Sequence, residues 1–82
     1  MRHLSHNIFM AGEKEIKGIL VRNLKKFRKK QGWTQEEAAE AAGITGKYWQ
    51  RLEMSSQIDL PSLKVIFKIA AALEVPPSKL LE

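Results

Sequence analysis

The sequence GWTQEEAAEAAGIT, residues 32–45, carries the local signals that decide the fold of this 82-residue chain. Thr34 and Glu37 form a capping box, in which the Thr34 hydroxyl accepts a hydrogen bond from the Glu37 amide and the Glu37 carboxylate accepts one from the Thr34 amide. We therefore expect a helix that begins at Thr34 and ends at Gly43. Thr45 is a second N-cap, so another helix is expected directly after a tight turn.

The helix after Thr45 is expected to run to about Met54, with Trp49 and Leu52 turned toward the core. Before this pair of helices, residues 13–30 repeat apolar side chains at the spacing of one buried helix face, formed by Ile16, Leu20, Leu24 and Phe27. The sequence thus predicts a long helix packed against two short ones.

Two further helical segments are expected after the polar loop Ser55–Asp59. Pro61 suits the first turn of a helix, because its missing amide hydrogen costs nothing there. That helix is expected to reach Leu73 and to bury one face, formed by Leu63, Ile66, Phe67, Ala70 and Leu73. Pro76-Pro77 blocks its continuation, and Ser78–Leu81 can form a last turn whose leucines close the core.

These segments predict an all-α fold, a compact domain of about five helices over residues 13–82, preceded by a flexible arm over residues 1–12. A chain of this length has room for one core and little else. Because the run that begins at Met10 is more polar than the residues before it, the true start stays open between Met1 and Met10.

Composition favours an anionic partner and excludes several kinds of site. Lys and Arg total 14 against 9 Asp and Glu, which gives a net charge of +5 and suits nucleic acid. The chain has no cysteine, so disulfides, thiolate metal sites and cysteine nucleophiles are excluded. No apolar run approaches the ~20 residues of a membrane span, and the amino-terminal residues lack the apolar core of a secretory signal. We expect a cytoplasmic protein.

From Leu24 to Leu81 the chain resembles the phage-repressor and Cro type of helix-turn-helix family, also called XRE-like. The residues that carry the resemblance are Arg28, Gly32-Trp33-Thr34-Gln35-Glu36-Glu37-Ala38-Ala39, Gly43-Ile44-Thr45 and Leu52-Glu53. The resemblance implies a lambda-repressor-like domain that places a recognition helix, about residues 45–54, in the major groove of double-stranded DNA.

Three residues or segments depart from the family's pattern. Ser55 stands where the family usually has a left-handed glycine, so the loop is expected to take another route. The loop from Glu53 to Pro61 is longer than is common, by about two residues. Ala38 replaces a more usual leucine and removes core volume, which Trp49 can refill.

If the recognition helix lies in the major groove, the side opposite Trp49 and Leu52 faces the DNA. The candidate DNA-binding residues on that side are Thr45, Gly46, Lys47, Tyr48, Gln50 and Arg51, with Met54 at its end. A basic face that is merely solvated is the alternative interpretation.

The individual side chains suit different contacts. Lys47 and Arg51 are four residues apart on one helix face, and both can donate to guanine, Arg51 with two parallel hydrogen bonds. Gln50 can read adenine. Gly46 allows the start of the helix to approach a phosphate closely, and the Tyr48 hydroxyl is a candidate phosphate contact.

Further roles follow from the resemblance and from the basic run in the first helix. The resemblance implies that Gln35 holds a phosphate and that Arg28 forms a structural ion pair with Glu53. Six of the nine residues from Arg22 to Lys30 are basic, and helical spacing spreads them around the solvent side. Some of them, such as Lys25 and Lys26, are therefore expected to reach flanking phosphates, while others only favour solubility.

Other residues offer weaker signals for chemistry. Trp33 and Trp49 could stack on single-stranded bases, but their positions favour core packing. His3 and His6 are near helical spacing for a shared metal, yet no third ligand accompanies them, so we expect no metal site. The sequence holds no phosphate-binding glycine loop and no nucleophile elbow, and we expect neither an enzyme nor a cofactor.

The sequence therefore predicts a transcriptional regulator that binds operator DNA as a homodimer, with repression as the expected mode. The dimer surface is expected to include Leu80 and Leu81, with possible additions from Leu4, Ile8 and Phe9 in the arm. The alternative is a protein-interaction module that uses the same fold to dock a polymerase subunit, a toxin or a coactivator. The operator sequence, the inducing signal and the choice between repression and activation stay open.

Overall fold

The computed structural model describes residues 12–57 and 59–82, and this part of the chain contains helices and no strand. The four α-helices are α1 (Gly12–Gln31), α2 (Gln35–Ala42), α3 (Gly46–Leu52) and α4 (Leu63–Leu73). The expected last turn is a 3-10 helix, Pro77–Leu81, so the fifth element is not an α-helix. The all-α prediction is confirmed, whereas the predicted arm lies outside the described residues except for Gly12, which already belongs to α1.

Side-chain caps begin α2, α3 and α4. The cap of α4 is Ser62, so Pro61 lies before this helix and not in its first turn as predicted. The Thr34 hydroxyl accepts from the Glu37 amide at 3.1 Å, and the Thr34 amide donates to the Glu37 carboxylate at 2.9 Å, which confirms the capping box. Thr45 caps α3 in the same way, by accepting from the Tyr48 amide. Gly43 ends α2 with a φ of 73°, the left-handed conformation that glycine adopts without a steric penalty.

The core lies where α1, α2, α3 and α4 meet, and the 3-10 helix closes its end. Trp49 and Leu52 are fully buried, as predicted, and small alanines of α2 pack beside them. The buried cluster consists of Leu20, Leu24, Ala38, Ala39, Ala42, Trp49, Leu52, Ile66, Ile69, Ala70, Leu73 and Leu80. Because the alanines lack bulk, α2 and α3 approach closely enough for the Trp49 ring to fill the space between them.

The buried face of α1 differs in part from the predicted one. Leu20 and Leu24 are buried as predicted, but Ile16 is 39% exposed, and Lys17, Val21 and Asn23 are buried in addition. This buried face has the same helical periodicity, displaced by one residue at its first turn. The prediction for Ile16 is therefore wrong, because Lys17 has buried partners that periodicity cannot reveal.

Three apolar residues that were expected in the core lie on the surface. Phe67 is 57% exposed, and Leu63 and Leu81 are exposed as well. Leu63 and Leu81 line the walls of a shallow apolar groove of about 200 Å³ together with Ile16, Leu20, Leu60, Pro61 and Ile66. Only Leu80 of the last turn closes the core, so Leu80 is not available for a dimer surface.

Two buried polar side chains join distant segments. The Asn23 amide donates to the Leu80 carbonyl at 2.9 Å and so fixes the 3-10 helix against α1. The Lys17 ammonium donates to the Arg51 carbonyl near the end of α3 and to the Gln57 and Asp59 carbonyls in the segment that follows. Within residues 12–57 and 59–82, every buried side-chain nitrogen and oxygen has a hydrogen-bond partner, which is the usual condition of a stable interior.

Among the described residues, none of the helices has both the length and the apolar character of a membrane span.

Candidate nucleic-acid interface

Helix α3 is fixed by the core on one side and presents its other side to solvent. The turn before it is closed by the Ile44 amide, which donates to the Ala39 carbonyl at 3.0 Å. Trp49 and Leu52 then bury the inner side of the helix. Because a helix turns about 100° per residue, Lys47, Gln50 and Arg51 face outward, while Tyr48 lies at the boundary between the two sides.

The outward side gathers most of the predicted DNA-binding residues. Four of them line one shallow cleft of about 250 Å³, namely Thr45, Lys47, Tyr48 and Arg51. Gln50 and Met54 are exposed beyond this cleft, whereas Tyr48 is half-buried and packs against the core. Lys47 and Arg51 bring two positive charges to the cleft, which suits an anionic ligand.

Gly46 lies beside an acidic side chain of α2. A Cβ atom added at Gly46 would stand 2.6 Å from the Glu36 Oε2 atom, closer than real Cβ contacts. The Glu36 carboxylate therefore occupies the position at the start of α3 that was predicted to approach a phosphate. Since Glu36 is exposed and flexible, a phosphate at this place would require its side chain to move away.

Arg51 has a partner that the sequence analysis missed. Its Nη2 atom donates to the Asp59 carboxylate in the loop after α3, and the two side chains are 54% and 46% exposed. A hydrogen bond from the Asp59 backbone amide lowers the pKa of this carboxyl, and the positive charge of Arg51 lowers it further. No spacing rule identifies Asp59, because the loop that carries it has no periodic pattern.

Lys17 holds the same loop from inside. Its ammonium is buried and donates to the carbonyl oxygens of Gln57 at 2.6 Å, Asp59 at 3.3 Å and Arg51 at 3.4 Å. Burial lowers the pKa of Lys17, while the Asp59 charge acts in the opposite direction. Ser55, where the family usually has a left-handed glycine, has no positive φ, and the Gln57 amide closes a turn on the Met54 carbonyl.

Glu53, which is only 4% exposed, lies at the centre of a charged network at the end of α3. Arg28 donates a hydrogen bond to each carboxylate oxygen, from Nε to Oε2 at 2.7 Å and from Nη2 to Oε1 at 3.0 Å. Trp49 Nε1 donates to Oε2 at 2.5 Å. Burial alone would raise the pKa of the Glu53 carboxyl, but the hydrogen bonds from its neighbours outweigh burial and the pKa is lowered.

Gln35 belongs to this network and does not line the cleft. Its Nε2 atom donates to Glu53 Oε1 at 2.9 Å, from the first position of α2. The Arg28 Nη1 atom also donates to the Trp33 carbonyl at 3.0 Å. The side-chain amide of Gln35 thus supports Glu53, and contact with a phosphate stays a prediction for the Gln35 amides.

Apart from Lys17 and Arg28, the basic side chains of α1 are exposed, and two of these exposed side chains have partners of their own. Arg22 donates to the Glu82 carbonyl at 2.7 Å, and the Lys26 ammonium lies 5.2 Å from the centre of the Phe27 ring. Lys25 is exposed and forms no ion pair with the acidic residues that the structure describes. His3 and His6 lie outside the described residues.

Comparison with known proteins finds similarity to helix-turn-helix proteins and transcription factors. A family model described as "Helix-turn-helix" matches residues 24–80. The HTH-type transcriptional regulator SinR of Bacillus subtilis (strain 168) is 33% identical over 64 residues, which cover 78% of this chain and 57% of SinR. The chain therefore spans little more than half the length of that relative.

A second relative covers more of the chain. A Neisseria hypothetical transcription factor from Neisseria meningitidis serogroup B is 34% identical over 73 residues, or 88% of this chain and 66% of that protein. The crystal structure of the hypothetical transcription factor NHTF from Neisseria matches with a TM-score of 0.76 at 35% sequence identity. That match covers 84% of this chain and 75% of the Neisseria chain.

Proposed function

Because the chain belongs to the helix-turn-helix family of the phage-repressor and Cro type, whose members are DNA-binding regulators rather than enzymes, we propose that it is a sequence-specific transcriptional repressor. In this proposal α3 enters the major groove of duplex DNA, and residues 13–82 form the DNA-binding domain. The observation that carries the proposal is the cleft on the outward side of α3, where Lys47 and Arg51 stand above an inner side that the core holds rigidly.

Each side chain of the outward side receives a role from its chemistry. Arg51 and Lys47 donate to guanine O6 and N7, and Gln50 reads adenine. Thr45, Gly46 and the Tyr48 hydroxyl lie near the start of α3 and contact the sugar-phosphate backbone. Gln35 adds a phosphate contact from the start of α2, which fixes the register of the protein on DNA without reading sequence.

The proposed assembly is a homodimer on two half-sites in the cytoplasm. One small helix-turn-helix gathers few contacts, and a second copy doubles them. Exposed apolar side chains are candidates for the dimer surface. They include Leu81, Ile16 and Leu63, which line one apolar groove. An apolar patch rimmed by polar residues is typical of protein interaction sites.

Selection of bound sequences from random duplexes tests the proposal, followed by salt titration of binding to the enriched sequence. Enrichment of a two-fold symmetric motif is expected, with an affinity that falls steeply as salt increases, because phosphate contacts release counterions. If no motif is enriched and duplex binding is negligible at low salt, the outward side of α3 serves a protein partner instead.

A further inference from the structure

The pairing of Arg51 with Asp59 has features that an ordinary surface ion pair lacks. An exposed pair usually contributes little, because two flexible side chains must be held in one geometry against screening by water and salt. Here the backbone of each partner is tied to a third group. The Lys17 ammonium donates to the carbonyl oxygens of both Arg51 and Asp59, at 3.4 and 3.3 Å.

Lys17 is itself rigidly placed. It is buried on α1 among the residues that form the core, beside Leu20 and Val21. Its shortest contact, at 2.6 Å, is to the carbonyl of Gln57, two residues before Asp59. The relative position of the Arg51 and Asp59 backbones is therefore set by the interior of the protein and not by the ion pair alone.

The ion pair leaves Arg51 able to read a base. A guanidinium has five N–H donors, and the Asp59 carboxylate engages Nη2, which carries two of them. Among the residues that the structure describes, Nε and Nη1 of Arg51 donate to no protein acceptor. Enough donors remain for two parallel hydrogen bonds to guanine O6 and N7.

We infer that Asp59 is a positioning residue for sequence recognition, which orients the Arg51 guanidinium toward a guanine and keeps it from binding phosphate. The inference rests on the proposed function. A carboxylate at this place repels the full negative charge of a phosphate more strongly than the edge of a guanine, which is an acceptor without net charge. Asp59 thus lowers the affinity of Arg51 for the phosphates of DNA and favours contact with a guanine that fits the fixed orientation of the guanidinium.

The test measures discrimination at the base pair that Arg51 reads. The quantity is the ratio of dissociation constants for two duplexes, the selected site with that pair replaced and the selected site itself. For the wild type we expect a ratio of about 5 to 150, the usual range for a two-pronged contact. The base pair is identified as the position at which Arg51→Ala brings the ratio close to one.

Asp59→Asn keeps the shape of the side chain and removes its charge. We expect the ratio to fall at least threefold, while affinity for a scrambled duplex stays equal or rises. Glu15→Gln is the matched control, since it removes one exposed negative charge from α1. Glu15 lies two residues from Lys17 and therefore on nearly the opposite side of the helix. Glu15→Gln should leave the ratio unchanged.

The double variant Arg51→Ala, Asp59→Asn separates positioning from general charge. If Asp59 acts through Arg51, Asp59→Asn changes the affinity for the selected site when Arg51 is present and leaves that affinity unchanged when Arg51 is already alanine. The inference would be overturned if Asp59→Asn left the ratio unchanged while Arg51→Ala brought it close to one. That result would leave the proposed function standing. A wild type that prefers no duplex at all would overturn both.

Discussion

Replacement of Glu53 by alanine is expected to destabilise the fold severely and to affect DNA binding only as a consequence. The carboxylate is buried and accepts hydrogen bonds from Arg28, Gln35 and Trp49. Glu53→Ala leaves the fully buried Trp49 Nε1 without its acceptor, at a cost of about 1 to 3 kcal/mol. It also deprives the Arg28 guanidinium, whose side chain is 13% exposed, of its counter-ion.

The expected loss in unfolding free energy is about 3 to 5 kcal/mol, the usual result of removing one partner of a buried pair. The lower end is favoured here, because Arg28 keeps one hydrogen bond, to the Trp33 carbonyl. A domain of this size has a total stability of roughly 4 to 12 kcal/mol. The midpoint of thermal unfolding should therefore fall by more than about 10 °C.

Circular dichroism during heating measures this midpoint for the wild type and for Glu53→Ala. Glu40→Ala is the matched control, because Glu40 is an exposed residue of α2 and the chemical change is the same. Its effect should stay within about 0.5 kcal/mol. Equal midpoints for Glu53→Ala and Glu40→Ala would refute the assignment of Glu53 as the centre of a stabilising network.

Three further outcomes are expected. Arg51→Ala should cost about 1 to 3 kcal/mol on the selected duplex and less on a scrambled one, and equal losses in a binding titration would argue against base reading. Lys25→Ala should weaken binding to both duplexes alike and reduce the slope of log affinity against log salt by about one, whereas an unchanged slope would mean that Lys25 touches no phosphate. The pKa of the Glu53 carboxyl is lowered from its usual 4.5, so the folded state binds a proton at this carboxyl less readily than the unfolded state does. The stability that the carboxylate contributes is therefore present above pH 4.5 and is lost as the pH falls below it. The gap in urea-unfolding free energy between the wild type and Glu53→Gln should thus narrow as the pH falls below 4.5, and a constant gap would contradict the lowered pKa.

The helices could be predicted because their signals are local. Thr34 with Glu37, and Thr45 with the amide three residues later, cap helices within four residues of chain. Gly43 ends α2 for an equally local reason, since its positive φ suits glycine. Trp49 was assigned to the core from helical spacing within α3, and this inner side is buried as expected.

The contacts between distant segments could not be predicted in the same way. A lysine in a basic helix normally indicates a solvated position, and Lys17 is buried only because carbonyls 34 to 42 residues away converge on it. Ile16 was assigned to the core at its expense. Asp59 and Glu36 were missed because the folded arrangement, and not their spacing, brings them to Arg51 and Gly46.

Two cations that project from one face of α1 hold the carboxyl end of α3. Lys17 and Arg28 are 11 residues apart, which is close to three helical turns, so both side chains leave α1 in the same direction. Arg28 holds the Glu53 carboxylate, and Lys17 holds the Arg51 carbonyl and the loop beyond it.

A helix of only seven residues has little stability of its own, and Ser55 supplies no left-handed turn to close its end. The charged side chains of α1 perform that closing role instead. Trp49 and Leu52 thus hold the inner side of α3 in the core, and the charged side chains of α1 hold its carboxyl end. If α3 reads DNA as proposed, substitution of Lys17 or Arg28 should alter DNA binding through the end of α3, although neither side chain needs to contact DNA.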